Sequence, residues 1–339
     1  MTRKQLSIAA GIAALALALT GCSGQSASPG AGDDTGEAGQ AEQLSVTYLT
    51  SFNQFGRDAY AYVAQEQGFF EEAGFTVDIQ PGTGTVDVLK LVASGKADFG
   101  VGDFQAGALT IANEGLPAQI VSSIHDRSLA AIATAEGYGI ETPADLEGKR
   151  IADQPGSVNE VLFPVYAEAA GIDASKVEFV PSQPPALPQL LASKQVDAIG
   201  QFVVAGGLIK GATGADAVFL PFSDYLDDLY GNALFVGTKL IESDPDAVAR
   251  FNEALHRGLQ YTIDHPEEAA KILNKIQPTQ EVAVAQGEIT AMAPYVGDTS
   301  ANGKLDPKRV DAILALLNDG GAFTKAPSAD AIVTYEIAK

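Results

Sequence analysis

Val77-Asp78-Ile79-Gln80-Pro81, followed by Leu91-Val92-Ala93-Ser94-Gly95-Lys96-Ala97-Asp98, returns about a hundred residues later. The second copy is Val177-Glu178-Phe179-Val180-Pro181, followed by Leu190-Leu191-Ala192-Ser193-Lys194-Gln195-Val196-Asp197. Each copy reads as strand, turn, helix, short loop, strand, and in both the helix ends on Leu or Val, Ala, Ser with an Asp four residues beyond the Ser. A repeat of this kind at a nearly constant offset predicts two duplicated lobes with a cleft between them. Outward from the first copy, short β-rich runs (LSVTYLT from Leu44, FTVDIQP, ADFGVG, AQIVSSI) alternate with helical runs (DAYAYVAQEQG, VDVLKLVASG, FQAGALTIANEG). Such alternation means βαβ units and a mostly parallel sheet, so the fold class is α/β. Glycines at Gly68, Gly74, Gly95 and Gly115 mark helix ends.

Two extended runs read as connections between the lobes: LAAIAT (129–134), and GNALFVGT (231–238) after the Tyr- and Asp-rich SDYLDDLY. Lobe one is then residues 44–130 with 232–339, and lobe two is 131–231. The last hundred residues are helical by pattern. Asp244-Pro245 and Asp306-Pro307 each open a helix, and Asp264-His265-Pro266-Glu267 is expected to cap another.

The chain has 339 residues with 46% hydrophobic and 19% charged residues, enough to bury a sizeable core. Its net charge of −22, from 21 Lys+Arg against 43 Asp+Glu, repels polyanions and argues against nucleic acid as a partner. One cysteine excludes an internal disulfide framework and multi-cysteine metal sites; with three scattered histidines, no metal and no cofactor is expected. That cysteine, Cys22, closes an N-terminal segment with basic Arg3-Lys4 and an apolar run from Leu6 to Leu19. The segment reads as a signal peptide over residues 1–22, and Leu19-Thr20-Gly21-Cys22 resembles the lipobox of bacterial lipoproteins, in which the cysteine is lipidated. Residues 23–43, rich in Ser, Gly, Ala and acids, form a tether. The expected place is outside the cytoplasmic membrane, held by the lipid.

Catalytic signatures are missing. Gly82-Thr83-Gly84 lacks the third glycine of a dinucleotide fingerprint, and the sequence has no P-loop, no H-E-x-x-H and no G-x-S-x-G. His256 and His265 fall in the C-terminal helices and are expected on solvated faces, leaving only His125 near a plausible site. In an open α/β sheet, ligands lie beyond the carboxyl ends of the strands. Those segments are Ser51–Asp58, Pro81–Thr85, Gly102–Ala106, Asp153–Asn159 and Gly200–Phe202. From them come the candidate ligand-binding residues Phe52, Asn53, Arg57, Gly82, Thr83, Gly84, Asp103, Phe104, Ser157, Asn159, Gln201 and Phe202, with Tyr225 and Asn232 near the return connection. Aromatic faces beside neutral hydrogen-bonding groups suit a flat, polar small molecule. The glycines of the second segment are expected to turn backbone N–H groups toward it.

The wording Gly68-Phe69-Phe70-Glu71-Glu72-Ala73-Gly74-Phe75-Thr76-Val77-Asp78-Ile79, then Gly82-Thr83-Gly84 and Leu91 to Val101, resembles the substrate-binding proteins of ABC importers for sulfonates, nitrate and the pyrimidine precursor of thiamine. Leu146-Glu147-Gly148-Lys149-Arg150-Ile151-Ala152 and Pro155-Gly156-Ser157 extend the resemblance over nearly all of 44–339. It implies a two-lobed type II periplasmic-binding-protein fold, a monomer that closes on its solute and delivers it to a membrane permease. Within that group Phe52-Asn53 and the Gly82 to Asp87 turn resemble the pyrimidine binders. An alkanesulfonate or nitrate remains the alternative, for which Arg57 and Arg127 would be the cations. A pyrimidine-synthase-like enzyme and a ligand-sensing lipoprotein are the readings from other classes.

Overall fold

The computed structural model describes residues 43–338; the expected signal peptide, nearly all of the expected tether and Cys22 lie outside the described residues. Lobe one begins with strand β1 (Leu44–Leu49), a two-residue strand β2 (Phe52–Asn53) and helices α1 (Ala59–Glu66) and α2 (Phe69–Glu72). It continues through β3 (Phe75–Gln80), β4 (Gly82–Thr83), α3 (Thr85–Ala93), β5 (Phe99–Asp103), α4 (Phe104–Glu114) and β6 (Ala118–Ser123). Lobe two holds β7 (Ala130–Ala135), β8 (Arg150–Asp153), α5 (Val158–Ala170), β9 (Glu178–Pro181), α6 (Leu187–Ala192), β10 (Ala198–Phe202), α7 (Gly206–Thr213) and β11 (Ala217–Pro221). The chain then returns as β12 (Asn232–Gly237) and finishes with α8 (Thr238–Ser243), α9 (Pro245–Asp264), α10 (Pro266–Ile276), α11 (Val282–Met292), α12 (Pro307–Asp319) and α13 (Ala329–Ile332).

The two five-stranded sheets share one plan. Lobe one runs β3-β1-β5-β12-β6, and lobe two, from the matching edge, β9-β8-β10-β7-β11. In each the first three strands are parallel, as βαβ connections require, while the fourth is antiparallel to both neighbours. That fourth strand is always the one laid down immediately after the chain crosses from the other lobe: β7 after β6, and β12 after β11. The shared aspartate of the repeat has the same task twice. Asp98 accepts the Thr47 N–H at 2.8 Å and returns its own N–H to the Thr47 carbonyl, and Asp197 does the same with Arg150 at 2.9 Å. Each therefore pins the start of a central strand to the neighbour beside it. Three residues before each aspartate the helix end needs a left-handed residue, which is Gly95 (φ 70°) in lobe one and Lys194 (φ 56°) in lobe two.

The helix starts at Asp244 and Asp306 behave as the sequence predicts, each carboxylate accepting an N–H of the first turn, from Ala247 and from Lys308. At the start of α10 the expectation fails: Asp264 ends α9, and His265 occupies the cap position without a side-chain hydrogen bond. His256 also departs from expectation. It is only 2% exposed, because it lies on the inner face of α9 four residues from Asn252, whose amide holds the Asn302 carbonyl.

Helix α9 packs across lobe one through an aromatic cluster. Phe251, fully buried, lies parallel to Phe99 at 3.7 Å, stacks on Phe70 at 5.0 Å and meets Phe75 edge-on at 5.5 Å. Further along α9, Gly258 faces α1 so closely that a Cβ would overlap the Tyr60 carbonyl oxygen. A second apolar cluster runs from Val88, Leu89 and Phe235 through Phe104 and Tyr230 to Ile151, Leu162 and Tyr166, so the lobes share buried surface beside the crossovers.

Phe251→Ala, which opens a cavity between four aromatic rings, is expected to cost about 3–5 kcal/mol. Gly258→Ala, which forces α9 away from α1, is expected to cost about 1–3 kcal/mol. Urea unfolding followed by circular dichroism checks both.

Candidate functional site

After β1 the chain makes a tight double loop. Phe52 and Asn53 of β2 pair with Thr83 and Gly82 of β4. The Thr50 hydroxyl, which donates to the Asn53 carbonyl, accepts the Gly82 N–H at 3.1 Å, and the Gly84 N–H donates to the Ser51 carbonyl at 3.1 Å. A Cβ at Gly82 would overlap the Thr50 carbonyl oxygen, so glycine is needed there for close approach of two loops. This corrects one expectation: the N–H groups of Gly82 and Gly84 are used inside the double loop, which the short β2–β4 ladder alone is too small to hold. Thr83 is exposed, with its hydroxyl on Asp87.

Arg57 follows that double loop and is the centre of the site. Its Nη2 donates to the Phe52 carbonyl at 3.3 Å, and its guanidinium stands 4.7 Å from the ring of Phe55 and 5.7 Å from that of Phe202. Phe55 stacks on Phe52 at 6.4 Å. Phe202 ends β10, so a lobe-one cation touches a lobe-two aromatic across the cleft. Asp58 lies 3.8 Å from Arg57 Nε and accepts from the Ser51 hydroxyl, and Glu288 of α11 accepts the Gly56 N–H.

Two acids, Asp58 and Glu288, act on this partly buried cation, and two more, Asp103 and Asp153, are buried at strand ends. Burial holds the Asp58 carboxyl above the usual carboxylate range, with Arg57 pulling the other way. Burial likewise raises Glu288 to about 6, against the opposing pull of Arg57. Asp103, which ends β5 and caps α4 by accepting the Ala106 N–H at 2.9 Å, is pushed by burial to about 7. In lobe two Asp153, at the end of β8, accepts from the Ser157 hydroxyl and the Gln154 N–H, and burial still raises it to about 6. Desolvation of the charged form is the leading cause in all four cases.

Ser157 caps α5, its oxygen accepting the Glu160 N–H. Asn159 is buried beside it, with Oδ1 lacking a protein partner. Gln201 is partly buried, and its Oε1 accepts the Phe202 N–H at 3.3 Å. Asn53 is exposed and adopts φ 52°. Three candidates stand elsewhere. Phe104 has no exposed surface and packs on Tyr230 at 5.3 Å within the core. Tyr225 is exposed and meets Tyr166 of α5 edge-on. Asn232 belongs to the crossover, where its carbonyl accepts the N–H groups of Ile124 and His125, while its own N–H donates to His125 Nδ1 at 3.2 Å. His125 thus joins the two connections, its pKa lowered by burial, and further by Arg57, to about 3, so that the accepting nitrogen stays unprotonated.

Asp58 and Asp153 fall inside the strand-end segments and were legible there. Glu288 gives no local signal, since it meets Gly56 from 232 residues away.

Residues 58–269 match the protein family described as NMT1/THI5 like, and the chain belongs to that family. Among curated proteins it is 24% identical over 215 residues to a formylaminopyrimidine-binding protein of Halalkalibacterium halodurans, covering 63% of this chain and 65% of that protein. It is 26% identical over 258 residues to a 4-amino-5-hydroxymethyl-2-methylpyrimidine phosphate synthase of Legionella pneumophila, covering 71% of this chain and 76% of that one. The chain thus spans just under two thirds of the length of the first of these relatives. Among solved structures, the periplasmic aliphatic sulphonate binding protein SsuA from Escherichia coli superposes with a TM-score of 0.70 at 14% identity, over 87% of this chain and 98% of that one. The fold is the two-lobed fold of periplasmic binding proteins. No helix among the described residues is long and apolar enough to cross a membrane.

An acid whose pKa is higher in the folded than in the unfolded chain keeps its proton longer when folded, so its stabilising effect is largest at low pH and is lost as pH rises from about 4 to about 7. Asp103→Asn keeps a cap acceptor and removes the titration. The melting temperature of the variant relative to wild type is expected to climb by several degrees between about pH 4 and about pH 8. Calorimetry across that range checks it.

Proposed function

We propose that the protein is the extracytoplasmic solute-binding component of an ABC importer, a monomer anchored through a lipid on Cys22, whose two lobes close on a small polar heteroaromatic such as a thiamine-precursor pyrimidine. The observation that carries the ligand class is the state of the arginines. Arg57 is held by Asp58, the Phe52 carbonyl and two aromatic rings. Arg127 donates to the Ser223 carbonyl at 3.1 Å, stands 3.8 Å from Asp224 and covers the Tyr295 ring. Neither is left as an unopposed positive charge for a sulfonate or nitrate, whereas Asp103 and Asp153 make the ends of β5 and β8 acidic and Asp58 and Glu288 act on Arg57. A neutral or weakly basic ring with donor groups meets less repulsion there and gains contact with Phe52, Phe55 and Phe202. Similarity to the formylaminopyrimidine-binding protein of Halalkalibacterium halodurans supports the same class. Contacts from both lobes, of the kind Arg57 and Phe202 already make, are what allow a ligand to favour the closed state.

Native mass spectrometry of the protein purified from its membrane, then denatured, tests the ligand. Release of an aminopyrimidine or a related heterocycle is the expected result; release of a sulfonate, or binding of taurine or nitrate alone in titration calorimetry, defeats the reading. Phe202→Ala is expected to weaken heterocycle binding about tenfold by removing the lobe-two ring.

The anchor is tested separately. Wild type is expected to partition into the detergent phase of Triton X-114 and to incorporate labelled palmitate, and Cys22→Ala to do neither; an unlabelled wild type removes the lipid from the proposal.

A further inference from the structure

Helix α11 belongs to lobe one, yet it also meets lobe two. On its inner face Ala285 and Ile289, both without exposed surface, share an apolar cluster with Tyr62 and Val63 of α1 and Ile272 and Leu273 of α10. The site loop is seated on the same helix: a Cβ at Gly56 would overlap the Ala285 carbonyl oxygen, and the Gly56 N–H donates to Glu288. The loop that carries Phe55 and Arg57 is thus fixed to α11.

Toward lobe two the character of the contact changes. Helix α7 opens on Gly206-Gly207, and a Cβ at Gly207 would stand 3.6 Å from Val284 Cγ1, so bare backbone of α7 faces one side chain of α11. Val284 keeps 37% of its surface exposed and the adjoining Leu208 46%, so the two helices touch only at an edge. Polar groups nearby turn to their own lobes: Lys210 pairs with Asp216, and the Thr290 hydroxyl donates to the Gln286 carbonyl. Among the described residues no hydrogen bond or ion pair joins α11 to α7. With no polar pair to break and little apolar area to expose, parting these helices costs far less than lifting α11 from α1 and α10.

We infer that α7 lands on α11 when the lobes close and leaves it when they open, so that the contact of Val284 with Gly207 is a latch of the closed state. The inference rests on the solute-binding reading above and adds the surface at which closure stops. Because α11 also seats the loop at Gly56, landing surface and site loop are one body. A solute that draws Phe202 of lobe two toward Arg57 brings α7 onto Val284 in the same motion. Gly207 has to be small for this: a larger side chain would prop the lobes apart, reduce the closed population and weaken binding in proportion, without touching the solute.

The test is a reversible lock, Gly207→Cys with Val284→Cys, in the full-length protein purified from its membrane. The spacing suits a disulfide, whose Cβ atoms lie about 3.5–4.5 Å apart. Wild type, with Cys22 as its one cysteine, is oxidised alongside as the control. The double variant is expected to cross-link within one chain. Uptake and release of 4-amino-5-hydroxymethyl-2-methylpyrimidine are expected to slow at least about tenfold on oxidation and to recover with dithiothreitol. Small-angle X-ray scattering of the solute-free protein is expected to give a smaller radius of gyration oxidised than reduced. Failure to cross-link, or unchanged exchange after cross-linking, overturns the inference and leaves the solute-binding reading standing: α7 then never reaches α11 or never leaves it. If wild type binds taurine and not the pyrimidine, the heterocycle reading alone falls, and the lock is read with taurine. If it binds neither, the solute reading falls and the radius decides the latch, an unchanged radius overturning it. Gly207→Leu needs no oxidation; it is expected to weaken pyrimidine binding about tenfold with a solute-free melting temperature within a few degrees of wild type, and unchanged affinity overturns the inference.

Discussion

Each lobe is completed by a strand that arrives from the other, and the rest of the structure depends on that exchange. β7 lies between β10 and β11, and β12 between β5 and β6, each hydrogen-bonded on both sides. Neither crossing strand can slide without breaking two ladders, and residues 124–129 and 222–231 lead into them from the other lobe. Those two segments also bond to each other: Ile124 and His125 donate to the Asn232 carbonyl, Gly231 donates to the His125 carbonyl, and Ser128 donates to the Leu229 carbonyl. The neutral ring of His125 adds a further bond by accepting the Asn232 N–H. The two segments thus run as a paired ribbon along one line between the lobes.

That line brings the carboxyl ends of the parallel strands into opposition, and the chemistry of the cleft follows from what is buried there. Removing carboxylates from water without enough cations raises their pKa values, which is the state of Asp103, Asp153 and Glu288. Arg57 pulls down Asp58 and Glu288. Its contacts with Phe55 and Phe202 are worth about 0.5–2 kcal/mol each and hold the guanidinium between the lobes. The strand ends thus carry desolvated carboxyl groups, with the aromatic faces of Phe55 and Phe202 beside Arg57.

The duplicated plan was legible in the repeat because the residues that carry it act locally. Asp98 and Asp197 recur because each pins a neighbouring strand, and Gly95 and Lys194 recur because each must turn the chain in the left-handed region. The helix starts at Asp244 and Asp306 were readable for the same reason, since a cap is decided within three residues. His256 was misread because burial of a helix face depends on what packs against it, and that partner, the loop at Asn302 and Gly303, is some 50 residues away.

The sequence by itself determined the α/β class, the two similar lobes, the segments at the strand ends and the acidic balance of the chain. These depend on periodicity, turn chemistry and composition, all of which act over short stretches. Only the tertiary structure decided which residues of those segments meet. It used Gly82 and Gly84 to bind one loop to another, sent Phe104 into the core, drew Glu288 to Gly56, and fixed the amide of Gln105 through Tyr230 from 125 residues away. Such contacts join groups distant in the chain, and their energies depend on burial and orientation, which no local stretch of residues specifies.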